Sequence, residues 1–156
     1  MLNKTQLDFS KIKLIILDLE GVLLQKNEPE DDVISQLQNF VRDLKQLNCK
    51  VCIITAGKNK IIKKLNSIEN LIILDSALDK LTTVQKLLNS VHVNFDNVFY
   101  IGDEVFDIPL LVKCGISAAP KTASRTVKRN VNIIIDNSST EKLLNSILSY
   151  KKSFSI

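Results

Sequence analysis

Apolar residues fall along this chain in two alternating patterns. Short continuous runs occupy Lys13 to Leu17, Val51 to Thr55, Leu71 to Leu74, Val98 to Ile101, Ile116 to Ala119 and Asn132 to Ile135. They are rich in Ile, Val and Leu and do not alternate with polar positions, which predicts strands covered on both faces. Between them, apolar positions recur at helical spacing over Val33 to Leu47, Lys58 to Asn66, Leu78 to Val91, Val105 to Lys113, Ala123 to Lys128 and Thr140 to Tyr150. In the first of these, Val33, Leu37, Phe40, Val41, Leu44 and Leu47 share one face. The acidic stretch Asn27 to Asp32 precedes that helix and suits the positive end of its dipole.

Such alternation implies right-handed crossovers and a mostly parallel sheet with helices on both sides, an α/β class with three α/β/α layers in a Rossmann-like arrangement. With 156 residues, no repeat and no linker, a single domain over 1–156 is expected, its core at about 11–136. Aromatic residues are only 5% of the chain, so that core must be built of aliphatic side chains. The net charge of +4 is diffuse. It aids solubility and attracts anionic substrates, and with no basic stripe among aromatics, no nucleic-acid partner is expected. No apolar stretch has the length to span a bilayer. Met1 to Ser10 is polar and lacks the apolar segment of a signal peptide, so a cytoplasmic protein is expected. Cys49, Cys52 and Cys114 then read as reduced packing residues. His92, the only histidine, reads as a surface residue between a helix and a strand.

The chemistry-bearing residues lie where strands end. Asp18 and Glu20 follow the first apolar run, and Thr55 closes the second in Ile53-Ile54-Thr55-Ala56-Gly57. Lys80 stands at the head of the helix after the third, and Asp103, Glu104 and Asp107 follow the fourth. A parallel sheet gathers strand C-termini along one edge, where open α/β sheets bind ligands. Singly, each has an ordinary structural explanation in caps and turns. A buried carboxylate pair at Asp18 and Glu20, however, calls for a compensating cation, phosphoryl group or proton.

In order and context these residues resemble the haloacid dehalogenase-like (HAD) superfamily over roughly Lys11 to Asp136. The resemblance implies a HAD fold without a large cap domain and a phosphatase working through an aspartyl-phosphate with Mg²⁺. Asp18 would be the nucleophile and Glu20 the general acid/base, with Thr55 bonding a phosphoryl oxygen and Lys80 neutralising the phosphate. Mg²⁺ would be held by Asp18, the Glu20 backbone carbonyl and Asp103, with Glu104 and Asp107 in support. Gly57, Lys121 and Arg125 are candidate substrate contacts, the latter two in a basic segment that continues to Lys128 and Arg129. Within the superfamily the segments Leu14 to Asp18, Asp79-Lys80-Leu81, Asn97 to Asp103 and Gly115 to Ala119 most resemble the small phosphatases of 3-deoxy-D-manno-octulosonate 8-phosphate and nonulosonate 9-phosphates. The resemblance implies a small phosphorylated substrate, a sugar acid phosphate among the candidates, and a homo-oligomer, since that family forms tetramers.

Three features depart from the family pattern. Glu20 stands where the family has Asp, about a dozen residues between Gly21 and Val33 leave little room for the assembly flap, and Asn137 to Tyr150 lacks the Gly-rich, Arg-containing tail. They motivate an alternative: a catalytically impaired HAD-like domain with an assembly or ligand-binding role. A response-regulator receiver domain fits less well, because its phosphorylated Asp follows the third strand.

Overall fold

The first apolar run, Leu14–Asp18, forms the buried strand β1 at the middle of a six-stranded sheet. The computed structural model describes residues 7–24, 27–75 and 77–153. β2 (Lys50–Ile54) and β3 (Leu71–Leu74) lie on one side of β1, and β4 (Val98–Ile101), β5 (Ile116–Pro120) and β6 (Ile133–Ile135) on the other. The order is β3-β2-β1-β4-β5-β6, and every neighbouring pair is parallel. The chain therefore winds outward from β1 in both directions. This puts the topological switch point between β1 and β4, where a crevice opens beyond the strand ends.

Successive residues of a strand face opposite sides, and each side here has its own core. Ile15, Leu17, Ile53 and Phe99 pack with Leu37 and Leu44 of α1 (Glu30–Gln46) and Leu143 and Ile147 of α6 (Thr140–Ser153). The short α2 (Ile62–Leu65) joins that layer. Leu14, Ile16, Ile54 and Tyr100 pack with Val84 and Leu88 of α3 (Lys80–Val91), Leu110 and Leu111 of α4 (Ile108–Lys113) and Val127 of α5 (Arg125–Lys128). The sheet is thus covered on both faces, as its unbroken apolar runs require.

All six expected strands are present within two residues of their expected bounds. The helices differ more. α1 begins at Glu30, because Glu30, Asp31 and Asp32 fill its first turn and favour the dipole. Instead of a helix over Lys58 to Asn66 there is one turn of helix, since the Asn59 side chain accepts the Ile61 N–H at 3.1 Å and holds a turn. α3 starts at Lys80 because Asp79 caps it, accepting the Thr82 N–H at 3.1 Å. Val105–Asp107 is a 3-10 turn leading into α4. His92 closes α3 in the left-handed region, with φ 56°, and is exposed. The three cysteines are free and buried, and burial pushes Cys49 and Cys114 up to about 12, as inert packing thiols require.

Candidate active site

The last residue of β1, Asp18, is only 3% exposed. Its Oδ1 accepts two hydrogen bonds, from Lys80 Nζ at 2.9 Å and from the Tyr100 hydroxyl at 2.8 Å. Lys80 is delivered by the capped start of α3 and also reaches Asp107 Oδ1 at 2.7 Å. The other Asp107 oxygen accepts the backbone N–H groups of Asp103 and Glu104, at 3.1 and 3.0 Å. Asp107 thus fixes the loop after β4 and aims Lys80. Carboxylate oxygens of Asp18, Asp103 and Asp107 lie within 4.8 Å of one another.

The loop after β1 closes over this group. Leu23 and Leu24 return their N–H groups to the carbonyls of Asp18 and Leu19. Gly21 has φ 80°, and a Cβ there would lie 2.0 Å from Asp103 Oδ2. No other residue type permits that turn and that approach together. Asn137, beyond β6, braces the loop by donating to the Gly21 carbonyl at 3.1 Å.

Glu20 points elsewhere. Its carboxylate accepts the Thr55 hydroxyl, 2.9 Å to Oε2 and 3.2 Å to Oε1, and the Asn59 amide at 3.4 Å. Thr55 in turn accepts the Gly57 N–H at 3.2 Å. Of the remaining sequence candidates, Glu104 is exposed and meets the cluster through its backbone N–H. Lys121 pairs with Asp136 at 3.9 Å. Arg125 is exposed at the start of α5. No described hydrogen bond or ion pair joins Lys121 or Arg125 to Asp18, Asp103 or Glu20 among the described residues. Tyr100, Asn59 and Asn137 were not legible as site residues. Only the placing of Tyr100 two residues before Gly102-Asp103 hints at its role.

Charge in the cluster is unbalanced. Burial, then the Asp107 carboxylate, pushes Asp18 well above the usual carboxylate range, against the pull of Lys80. Asp107 is also burdened by burial, but the Asp18 and Lys80 contacts outweigh it and hold Asp107 low. Of that pair, Asp18 is the carboxyl whose charged form the surroundings disfavour. Burial and the neighbouring Asp107 and Glu104 carboxylates push Asp103 up to about 6. Burial also opposes the charge on Lys80, yet Asp18 and Asp107 keep it raised. Three acids facing one ammonium suit a hard divalent cation, which prefers oxygen ligands. A carboxyl whose pKa rises on folding stabilises most below its unfolded value of 3.8 and loses that contribution as pH climbs through about 6. A cation competing for Asp103 regains it only above that range. For Mg²⁺ held at this cluster, the increase in Tm would be small near pH 5 and would grow through pH 6. Thermal melts with and without Mg²⁺ check this, and a pH-independent increase contradicts it.

Beside Gly21 a cavity of about 550 Å³ opens, lined by the polar residues Asn27, Glu28, Thr122, Asn137 and Ser138. Leu78, Val105 and Phe106 are exposed large apolar side chains in the loops that carry Lys80 and Asp103.

Sheet order and constellation together define a doubly wound α/β protein with a lysine-bridged acidic site at its switch point. The haloacid dehalogenase-like hydrolase family model matches residues 57–147, more than half of the chain, and the chain belongs to that family. The matched span holds Lys80, Asp103 and Asp107. The chain is 31% identical over 116 residues to the 3-deoxy-D-manno-octulosonate 8-phosphate phosphatase KdsC of Salmonella typhi, a match covering 69% of this chain and 62% of that one. It thus spans less than two thirds of the length of that relative. The fold is similar to the cobalt-bound deoxy-D-mannose-octulosonate 8-phosphate phosphatase of Haemophilus influenzae, with TM-score 0.76 and 21% identity over 94% of this chain and 93% of that one. It is also similar to the Moraxella catarrhalis phosphatase solved with magnesium, phosphate and KDO, with TM-score 0.75 and 18% identity over 94% and 91%. Among the described residues no helix is long and apolar enough to cross a membrane.

Proposed function

We propose that this protein is a Mg²⁺-dependent phosphomonoesterase that hydrolyses a small sugar acid phosphate through an aspartyl-phosphate on Asp18. The observation that carries the reading is Lys80 bridging Asp18 and Asp107 inside a triad of carboxylates. That arrangement supplies a nucleophile, a counter-charge and oxygen ligands at one point. Mg²⁺ would be held by Asp18, Asp103 and the Glu20 backbone carbonyl, with Asp107 in support. When bound it cancels the repulsion between carboxylate and phosphate.

Asp18 attacks phosphorus through Oδ2, while Oδ1 keeps its two donors and would be the oxygen offered to the metal. The P–O bond to the sugar breaks, and the protonated Glu20 gives its proton to the departing oxygen. Glu20, now a carboxylate, takes a proton from water, which cleaves the acyl phosphate and returns Asp18. Thr55 donates to a phosphoryl oxygen during both steps, so Glu20 must first let go of it. The cavity beside Gly21 offers amides and hydroxyls to a polyhydroxylated tail. The basic segment at Lys121 and Arg125 is a further candidate for the substrate carboxylate, and a second copy of the chain a candidate to cover the apolar rim.

Phosphate release from a panel of sugar phosphates, 3-deoxy-D-manno-octulosonate 8-phosphate included, tests the reading. Turnover that requires Mg²⁺ and stops on chelation is expected. Equal rates with and without the metal on every substrate overturn it. A second reading, an impaired domain that binds ligands without efficient turnover, is favoured by one contact: the Glu20 carboxylate on the Thr55 hydroxyl.

A further inference from the structure

Tyr100 is the one aromatic residue of the core that places a polar atom against the proposed nucleophile. It pairs in register with Ile16 on β1 and belongs to the same face of the sheet as Ile16 and Ile54. Asp18 is two residues further along β1, roughly 6.6 Å at the usual rise of a strand. A tyrosine side chain leaning along its strand spans that distance, and its hydroxyl arrives 2.8 Å from Asp18 Oδ1. The ring is fully buried among aliphatic residues. Gly102 keeps the space open, since a Cβ there would lie 3.0 Å from the Tyr100 hydroxyl and 2.9 Å from Asp107 Oδ2.

A carboxylate turns about its last bond as a broad, two-fold rotor, so its two oxygens are equivalent until something distinguishes them. Lys80 distinguishes them weakly: its stem is flexible, and its ammonium is shared with Asp107. The phenol is rigid and anchored in the core. We propose that Tyr100 is a positioning residue, which pins Asp18 Oδ1 and so presents Oδ2 to the phosphorus atom. The ordinary account, a buried hydroxyl finding the nearest acceptor, explains the bond but gives it no kinetic consequence. The kinetic consequence rests on the phosphatase reading, whereas the orientation of Asp18 does not.

Tyr100→Phe keeps the ring and removes the hydroxyl, a mild change in an apolar cluster. Turnover of the best sugar phosphate is expected to fall by about 10- to 100-fold, the penalty for a nucleophile displaced by a fraction of an ångström to an ångström. KM and Tm are expected to stay close to wild type, a split that a merely structural role does not give. A crystal structure of the variant is expected to show the Asp18 carboxylate turned. Unchanged turnover with Asp18 in its original orientation overturns the proposal. An inactive wild-type protein together with a turned Asp18 in Tyr100→Phe overturns the phosphatase reading and upholds the positioning role.

Discussion

Asp18→Asn is expected to lower phosphate release by on the order of 10⁴-fold or more, the scale of losing a covalent nucleophile. The amide has the size of the carboxyl and retains an oxygen that accepts from Lys80 and Tyr100. It cannot, however, form an acyl phosphate. Stability should change little or improve, because the substitution removes a carboxyl that burial and Asp107 already disfavour in its charged form. Loss of the charge facing Lys80 works the other way, and the two partly cancel. A steady-state assay and a thermal melt on the same preparation therefore separate chemistry from folding. Residual activity within tenfold of an active wild type would falsify the nucleophile assignment, since general electrostatic help survives this change and covalent catalysis does not.

The strands were legible because a sheet buried on both faces leaves an unbroken apolar record, as in Ile15-Ile16-Leu17 and Val98-Phe99-Tyr100-Ile101. Asp18 stood out for the same reason: a charge ending such a run has no water to turn to. Lys80 was expected at the head of the helix after the third run, and the structure starts that helix at Lys80 because Asp79 caps it. Sheet order was not legible, since alternation alone does not say that the chain returns to β1 and continues with β4 on its other side. Tyr100 was hidden because its ring satisfies the apolar pattern, and only coordinates show where its hydroxyl ends. Lys121, expected among the substrate contacts, pairs with Asp136, just beyond the end of β6. Charge patterns on exposed helices carry little information about such pairings. The length of the helix after Gly57 was missed because Asn59 bonds the backbone in a turn and delays the helix to Ile62.

Glu20→Asp is expected to raise turnover by about 10- to 100-fold, the reverse of the usual cost of a catalytic group misplaced by an ångström. The extra methylene lets Glu20 reach across to β2, where both its oxygens sit within 3.2 Å of the Thr55 hydroxyl. A phosphoryl oxygen seeking that donor meets a carboxylate already bonded to it. On the proposed phosphatase reading Glu20 thereby mimics the ligand, and the mimicry would cost twice: the phosphate would lose a donor, and the acid would be held away from the leaving oxygen. Aspartate is too short to bridge the same gap from the same backbone, so it frees Thr55 and restores the acid to the strand end. The two costs have separate readouts. Tighter inhibition by inorganic phosphate reports the release of Thr55, and faster turnover reports proton transfer. Glu20→Gln keeps an oxygen able to accept from Thr55 and has no proton to give at ordinary pH, so it should retain weak phosphate binding and lose turnover. Equal phosphate inhibition in wild type and Glu20→Asp argues against the competing contact. Gain of activity by Glu20→Asp from a wild type no faster than Asp18→Asn makes the natural protein an impaired member of its family, switched off by one methylene.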